Sequence, residues 1–148
     1  MKNQPTYDDA RLILKLYDLR RENRLREARR WMGAIPAFQS REEWLKTCPS
    51  GSEENASFRM VVTYWSMAAS FVVTGVLNAE LFYRANNLEL LFVWEKVRRI
   101  VPELRSVSKN PMQYRDLEQV ATGYIEHMNA NAPEWYESFS AGIAKIGR

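Results

Sequence analysis

Residues 58–77 read FRMVVTYWSMAASFVVTGVL, and the fold depends on what this stretch is. No charged side chain lies between Arg59 and Glu80, which is long enough for a helix to cross a bilayer. A helix that is apolar nearly all round is either a membrane span or the central helix of a bundle. Its mean hydropathy lies at about the usual threshold for a span and not clearly above it.

Four hydroxyl side chains interrupt this apolar surface at helical spacing. They are Thr63, Ser66, Ser70 and Thr74. Steps of three and four residues place them on one side of a helix, where small side chains let neighbouring helices approach and hydroxyls bond back to the backbone. The flanking segments have apolar stripes of their own that need a partner. We therefore predict a buried central helix near residues 56–74 and no transmembrane segment.

The composition is typical of one globular domain. The chain has 148 residues, 46% hydrophobic and 26% charged, with a formal net charge of +3. This charge is too small by itself to imply a polyanionic partner. One cysteine fits a reducing compartment, and the first residues lack the apolar run of a signal peptide. We expect a cytoplasmic protein in which residues 1–148 form a single helical domain.

Helix signals are frequent and strand signals are nearly absent. Thr6 with Asp9, and Ser40 with Glu43, predict capping boxes at two helix starts. Asn78 predicts a further N-cap. The sequence therefore predicts an all-α fold, a single irregular helical bundle of six to eight helices around the central helix.

The first forty residues leave one alternative open. Apolar positions form one stripe at Leu12, Leu16 and Leu19, and a second at Leu25, Ala28 and Met32. Asn23 interrupts the apolar face between them. Either the helix breaks near residues 22–24, or one long helix runs to about Met32.

Residues 88–107 carry two overlapping apolar seams. The seams contain Leu90, Val93, Trp94, Val97, Ile100, Val101, Leu104 and Val107. Together they predict one wide apolar stripe on a core helix, with a kink at Pro102. Asn110 and Pro111 then predict the N-cap and first residue of the next helix, and Pro133 predicts the start of a last short one.

No residue pattern indicates catalysis or metal binding. His127 has no ligand three or four residues away on the same helix face. Cys48 ends a short helix, where the helix dipole disfavours a thiolate. A catalytic arrangement of distant residues stays open. We expect no enzyme, no catalytic or metal-binding residues, and no cofactor.

The feature that suggests a function is basic. Six arginines lie between residues 20 and 30, and Arg20, Arg24, Arg26, Arg29 and Arg30 are the candidate anion-binding residues. Since these arginines do not share one helix face, and Glu22 and Glu27 offer partners at helical spacing, we favour a solvated, salt-bridged face. The alternative is contact with nucleic acid or an acidic membrane surface.

Two segments resemble a known family. REARRWMGAIP (residues 26–36) and GVLNAELFYRANNLELLFVWEKVRRIVPELR (residues 75–105) resemble an uncharacterised family of bacterial helical domains, catalogued only as a domain of unknown function. The shared features include Gly75, Trp94 and Arg105. The resemblance implies an all-helical domain, which in longer members often follows a membrane segment. It implies no activity, so no functional residue is transferred.

Two hypotheses about function follow. The first is a helical interaction or scaffold domain without catalysis, whose partner is another protein or a second copy of itself. The second is a regulator that binds an anionic partner through Arg20–Arg30. Salt distinguishes them, because binding through phosphates weakens steeply as salt rises.

Overall fold

The computed structural model describes residues 4–148, and this range contains nine helices and no strand. The helices are α1 Tyr7–Arg20, α2 Asn23–Ala34, α3 Arg41–Thr47, α4 Glu53–Val73, α5 Ala79–Arg84, α6 Leu88–Val97, α7 Val101–Ser108, α8 Arg115–Asn131 and α9 Trp135–Ala144. The predicted all-α class is confirmed. The described range holds one helix more than the upper limit of the prediction, because residues 88–107 divide into α6 and α7.

The first helix begins as its sequence predicts. The Asp9 N–H donates to the Thr6 hydroxyl at 3.4 Å, and the Thr6 N–H donates to the Asp9 carboxylate at 2.6 Å, which completes a capping box. At α3 the Ser40 hydroxyl accepts from the Glu43 N–H at 3.1 Å. The Glu43 carboxylate, however, accepts from the N–H of Gln39 rather than that of Ser40. The second predicted box is therefore half formed.

The α1–α2 junction settles the open alternative in favour of a break. α1 ends at Arg20 and α2 begins at Asn23. The Glu22 carboxylate caps α2 by accepting from the N–H groups of Arg24 and Leu25 at 3.1 and 3.0 Å. These two bonds lower the pKa of Glu22. A charged capping side chain thus fixes the turn that separates the two helices.

Two apolar positions predicted to be buried lie at the surface. Leu19 is 41% exposed and Val107 is 54% exposed. α1 ends one residue after Leu19, so the stripe that contains Leu12, Leu16 and Leu19 does not continue into α2. Residues 98–100 form turns between α6 and α7, so the seam of α6 loses its phase before Val107. The other seven residues of these seams, from Leu90 to Leu104, are buried.

The start of α8 was also predicted wrongly. Asn110 and Pro111 do not begin this helix, which starts at Arg115. Tyr114 adopts a left-handed conformation with φ of 57°, and this interrupts helical geometry just before Arg115. The Asn110 side chain instead accepts from the Met112 N–H at 3.0 Å and so stabilises a turn.

α4 is the central helix, as predicted, and it packs against α2, α6 and α8. One side of it faces solvent, and the predicted hydroxyl stripe lies there only in part: Thr63 and Thr74 are exposed, whereas the Ser66 hydroxyl is buried. Their hydroxyls donate to backbone carbonyls one turn earlier, at 2.5 and 2.7 Å. Ser70 Oγ likewise donates to the Met67 carbonyl at 2.6 Å, so back-bonding is confirmed for three of the four residues, but the Ser66 hydroxyl has no partner among the described residues. The exposed Thr63 and Thr74 do not bring neighbouring helices together.

α4 is also the one helix in residues 4–148 whose length and mean hydropathy of 1.2 would suit a membrane span. This is weak grounds for a span, since the core helix of a bundle has the same properties, and 44% of the apolar window is buried by other helices. That α4 does not cross a membrane stays a prediction.

Candidate anion-binding site

Arg20 is a buried anchor. Only 5% of it is exposed, which corrects the prediction of a solvated face at this residue. Its guanidinium carbon lies 5.1 Å from the ring centroids of both Tyr17 and Trp65. Its Nη1 donates to the Asn86 carbonyl at 3.4 Å. Stacking on two rings suits a weakly hydrated guanidinium, and it fastens the end of α1 to α4 and to the α5–α6 turn.

Arg29 is held by a carboxylate from another helix. Its Nε donates to both Glu89 oxygens at 2.9 and 2.8 Å, and its Nη2 lies 2.8 Å from Glu89 Oε2. Its Nη1 donates to the carbonyl of Arg20 at 3.1 Å. The side chains of Arg29 and Glu89 are 30% and 21% exposed, so solvent screens this pair only in part. The pair fixes α2 to the first turn of α6.

Two adjoining recesses open on either side of the Arg29–Glu89 pair. The first recess, of about 410 Å³, is lined by Tyr17, Arg20, Arg21, Arg26, Arg29, Asn86 and Glu89. The second recess, of about 350 Å³, is lined by Arg26, Arg29, Arg30, Gly33, Glu89 and Phe92. We call the five arginines of these walls the arginine cluster. Glu89 is the one carboxylate in either wall, so the positive charge is largely uncompensated.

Three members of the arginine cluster have exposed side chains. Arg21, Arg26 and Arg30 make no ion pair within 4.0 Å among the residues that the structure describes. Arg21 lies 6.0 Å from the ring centroid of Tyr17. These guanidiniums are accessible to solvent, whereas Arg20 and Arg29 are engaged by the protein.

The predicted set of arginines is brought together in part. Arg26, Arg29 and Arg30 share a recess, as their spacing predicts, but Arg24 lines neither recess. The predicted pairing of arginines with Glu22 is replaced by capping of α2. Arg21 was missed, because it follows the last turn of α1 and only the break after it turns its side chain to the cluster. No local signal identified Glu89, which lies sixty residues from Arg29.

His127 lies beside a further cavity between α5 and α8. Its Nδ1 is 3.3 Å from Glu80 Oε2, and its ring is 5.2 Å from the Tyr83 ring. Tyr83 and Glu126 line this cavity of about 430 Å³. A Cβ on Gly123 would collide with the Tyr83 hydroxyl, so glycine allows α8 to approach α5 here. His127 thus contributes to the contact between these two helices.

Cys48 is fully buried at the end of α3. Burial, and to a smaller extent the charge of Glu54, raise the pKa of the thiol to about 11. The thiol is therefore protonated at neutral pH and is a poor nucleophile. In residues 4–148, no three His, Cys, Asp or Glu side chains come close enough together to hold a metal ion.

Glu95 is a buried carboxylate, and the apolar pattern of α6 gave no sign of its burial. It is 6% exposed. Its oxygens accept from the Tyr136 hydroxyl, from Ser140 Oγ at 3.1 Å and from Arg98 Nε at 3.2 Å. Two of these three donors belong to α9. Glu95 therefore ties α9 to α6 through a satisfied polar network.

Lys96, the next residue, is fully buried. Its Nζ donates to the Ile35 carbonyl at the end of α2 and lies 5.0 Å from the centroid of the Phe92 ring. Burial lowers the pKa of this amine to about 8. Lys96 thereby supports the second recess from behind, since Phe92 forms part of its wall.

Comparison with known proteins identifies a family. The sequence profile of the domain of unknown function DUF4760 matches residues 5–124, which contain α1 to α7 and the first part of α8. No curated protein and no solved structure matches the chain. The two segments on which the family resemblance rested, residues 26–36 and 75–105, both fall within the matched range. The chain therefore belongs to the DUF4760 family, whose function is unknown.

Proposed function

We propose that this chain is a binding domain without catalysis, whose arginine cluster holds a phosphate group of an interaction partner. One observation carries the proposal: five arginines from α1, α2 and the turn between them line two adjoining recesses whose walls contain a single carboxylate, Glu89. That carboxylate is already bound by Arg29. An anion that enters either recess therefore replaces water around uncompensated positive charge.

The arginines have two different tasks in this proposal. Arg20 is fixed by protein contacts and supplies positive charge in a set position, whereas the charge of Arg29 is balanced by Glu89 and this pair forms a fixed part of both walls. Arg21, Arg26 and Arg30 supply the hydrogen bonds, because a guanidinium presents paired N–H groups that match phosphate oxygens. A fixed centre with exposed donors around it lowers the ordering cost of binding.

The nature of the walls supports binding rather than chemical conversion. Beside the arginines they contain two aromatic rings, an asparagine, a glycine and the occupied carboxylate of Glu89. None of these side chains is placed as a general base. The proposal thus combines the two hypotheses drawn from the sequence, an interaction domain and a regulator that binds an anionic partner.

Titration with inorganic tripolyphosphate tests the proposal. Arg26→Gln removes one exposed guanidinium that lines both recesses, and Arg24→Gln is its matched control, an equal charge change on the same helix outside them. A hydrogen bond to a charged group contributes about 1.5–3 kcal/mol. We therefore expect Arg26→Gln to weaken binding by at least about tenfold and Arg24→Gln by less than about twofold, as for a screened surface charge.

The salt dependence provides a second measurement on the same variants. Wild-type affinity should fall as salt rises, and the dependence should be shallower for Arg26→Gln than for Arg24→Gln. Equal losses in the two variants would show that the anion responds only to overall charge. That result, or no binding at low salt, would overturn the proposal.

A further inference from the structure

We infer that the phosphate-bearing partner presents a nucleobase, and that the second recess receives this base while the first recess receives its phosphates. The inference rests on the proposed function and names the ligand class, a nucleotide. It begins from the unequal chemistry of the two recesses. Both recesses contain one aromatic residue, Tyr17 in the first and Phe92 in the second. The first has four arginines and the second three, and only the second has a glycine, Gly33, in its wall.

Gly33 has no structural requirement in the fold. It lies in the last turn of α2 with no left-handed φ, and a Cβ placed on it would meet no atom within 4 Å. Glycine within a helix lowers helix stability relative to alanine. What this glycine does provide is a bare stretch of backbone in the second recess, where a side chain would project into the space. A flat ring needs such a surface.

The Phe92 ring gives this space an aromatic wall. The Lys96 amine lies 5.0 Å from the centroid of the ring, and α6 carries both residues, so the ring is supported by a buried neighbour. Arg26 and Arg30 line the same recess. Nucleobases stack on aromatic rings and on the planes of guanidinium groups, and both kinds of surface meet here.

The boundary between the two recesses allows the phosphates of a nucleotide to extend from the second recess into the first. Arg26 and the Arg29–Glu89 pair line both recesses, so they form the boundary between them. A ligand whose base lies over Gly33 extends its phosphates past this boundary towards Arg20 and Arg21. The volumes of about 350 and 410 Å³ lie within the roughly 300–1,000 Å³ of small-molecule sites. A free nucleotide and one nucleotide of a single strand share this chemistry.

The test compares adenosine triphosphate, inorganic tripolyphosphate and a short single-stranded oligonucleotide as ligands of the full chain. We expect adenosine triphosphate to bind roughly tenfold or more tightly than tripolyphosphate, from the stacking of one base. Tripolyphosphate carries at least as much negative charge, so charge alone gives adenosine triphosphate no advantage. Preference for the oligonucleotide over both would support the inference with a strand as the source of the nucleotide.

Gly33→Leu fills the second recess and should remove the advantage of adenosine triphosphate while leaving tripolyphosphate within about twofold. Gly142→Leu is the matched control, because Gly142 also lies within a helix, has the same open surroundings and lines neither recess. Thermal unfolding checks that both variants fold. If Gly33→Leu does not, Phe92→Leu takes its place, and it should reduce the same advantage.

Each remaining outcome separates the two proposals. Equal affinity for adenosine triphosphate and tripolyphosphate, or an advantage that survives both Gly33→Leu and Phe92→Leu, would overturn the nucleotide inference and leave the phosphate site standing. Failure of all three ligands to bind at low salt would overturn the phosphate site as well.

Discussion

Replacement of Lys96 by methionine should change the pH dependence of stability in a defined way. The pKa of this buried amine is lowered from 10.5 to about 8 in the folded chain. Between these two values the unfolded chain holds the proton and the folded chain has released it. The free energy of unfolding therefore rises with pH in this window, and the burial penalty is fully present below about pH 8.

The size of the effect follows from the two pKa values. Their separation corresponds to a penalty of about 3 kcal/mol at pH 7, at 1.36 kcal/mol for each unit of pKa. By pH 9 about 1.4 kcal/mol of that penalty should be relieved. The methionine of the Lys96→Met variant has no group that titrates, so this variant lacks the pH-dependent term. It also leaves the Ile35 carbonyl without its donor, which costs about 1–3 kcal/mol at either pH.

Urea unfolding of both proteins at pH 7 and pH 9 isolates the titration. We expect the wild-type protein to gain about 1.4 kcal/mol relative to Lys96→Met between these conditions, whatever the offset at pH 7. The upper limit avoids tyrosine ionisation, since residues such as Tyr64, with a pKa raised to about 12, destabilise the folded chain above their ordinary pKa. Lys15→Met, at an exposed position, is the control and should show no such change.

A difference between wild type and Lys96→Met that stays constant to within about 0.3–0.5 kcal/mol from pH 7 to pH 9 would refute the reasoning, because independent sites are additive to that precision. It would show that the Lys96 amine is hydrated in solution and titrates in the folded chain as it does in the unfolded one.

Further predictions concern core and surface. Trp94, 9% exposed on the α6 seam, should cost about 3–5 kcal/mol when replaced by alanine, and a loss below about 1 kcal/mol in urea unfolding would contradict its burial. Since a Cβ on Gly123 would collide with the Tyr83 hydroxyl, Gly123→Ala should be more favourable by about 1–3 kcal/mol in a Tyr83→Phe chain than in the wild-type chain. An equal effect of Gly123→Ala in the two chains would contradict the contact. The purified chain should stay in the aqueous fraction without detergent, and sedimentation at neutral pH with vesicles of uncharged lipid, which the arginine cluster does not attract, would contradict this expectation.

Local chemistry was sufficient to predict the starts of α1, α3 and α5. The caps at Thr6 and Asn78 depend on side chains three residues from the N–H groups they accept, so the sequence itself contains the interaction. The same reasoning failed at Asn110, where the asparagine forms a turn and Tyr114 takes a left-handed conformation that its side chain does not demand. The local signal of an asparagine before a proline is therefore compatible with a turn as well as with a helix start.

The candidate site depended on contacts that no local pattern contains. Helical spacing grouped Arg26, Arg29 and Arg30, but only the turn after Arg20 adds Arg21 to them. Glu89 lies in the first turn of α6, where negative charge suits the helix dipole, so its position alone does not indicate a further role. Its role as the partner of Arg29 requires α2 and α6 to lie side by side, which helical periodicity does not specify.

The network around Glu95 has a consequence for how relatives of this chain diverge. Its hydroxyl donors, Tyr136 and Ser140, lie beyond the matched family range, which ends at residue 124, while Glu95 lies well inside it. A mutation that removed these donors would leave a buried carboxylate with Arg98 alone, and selection would then favour an apolar residue at position 95. Homologues should accordingly show linked substitutions: an acidic residue at position 95 inherited together with hydroxyl side chains in α9, and aliphatic residues at all three positions in other lineages.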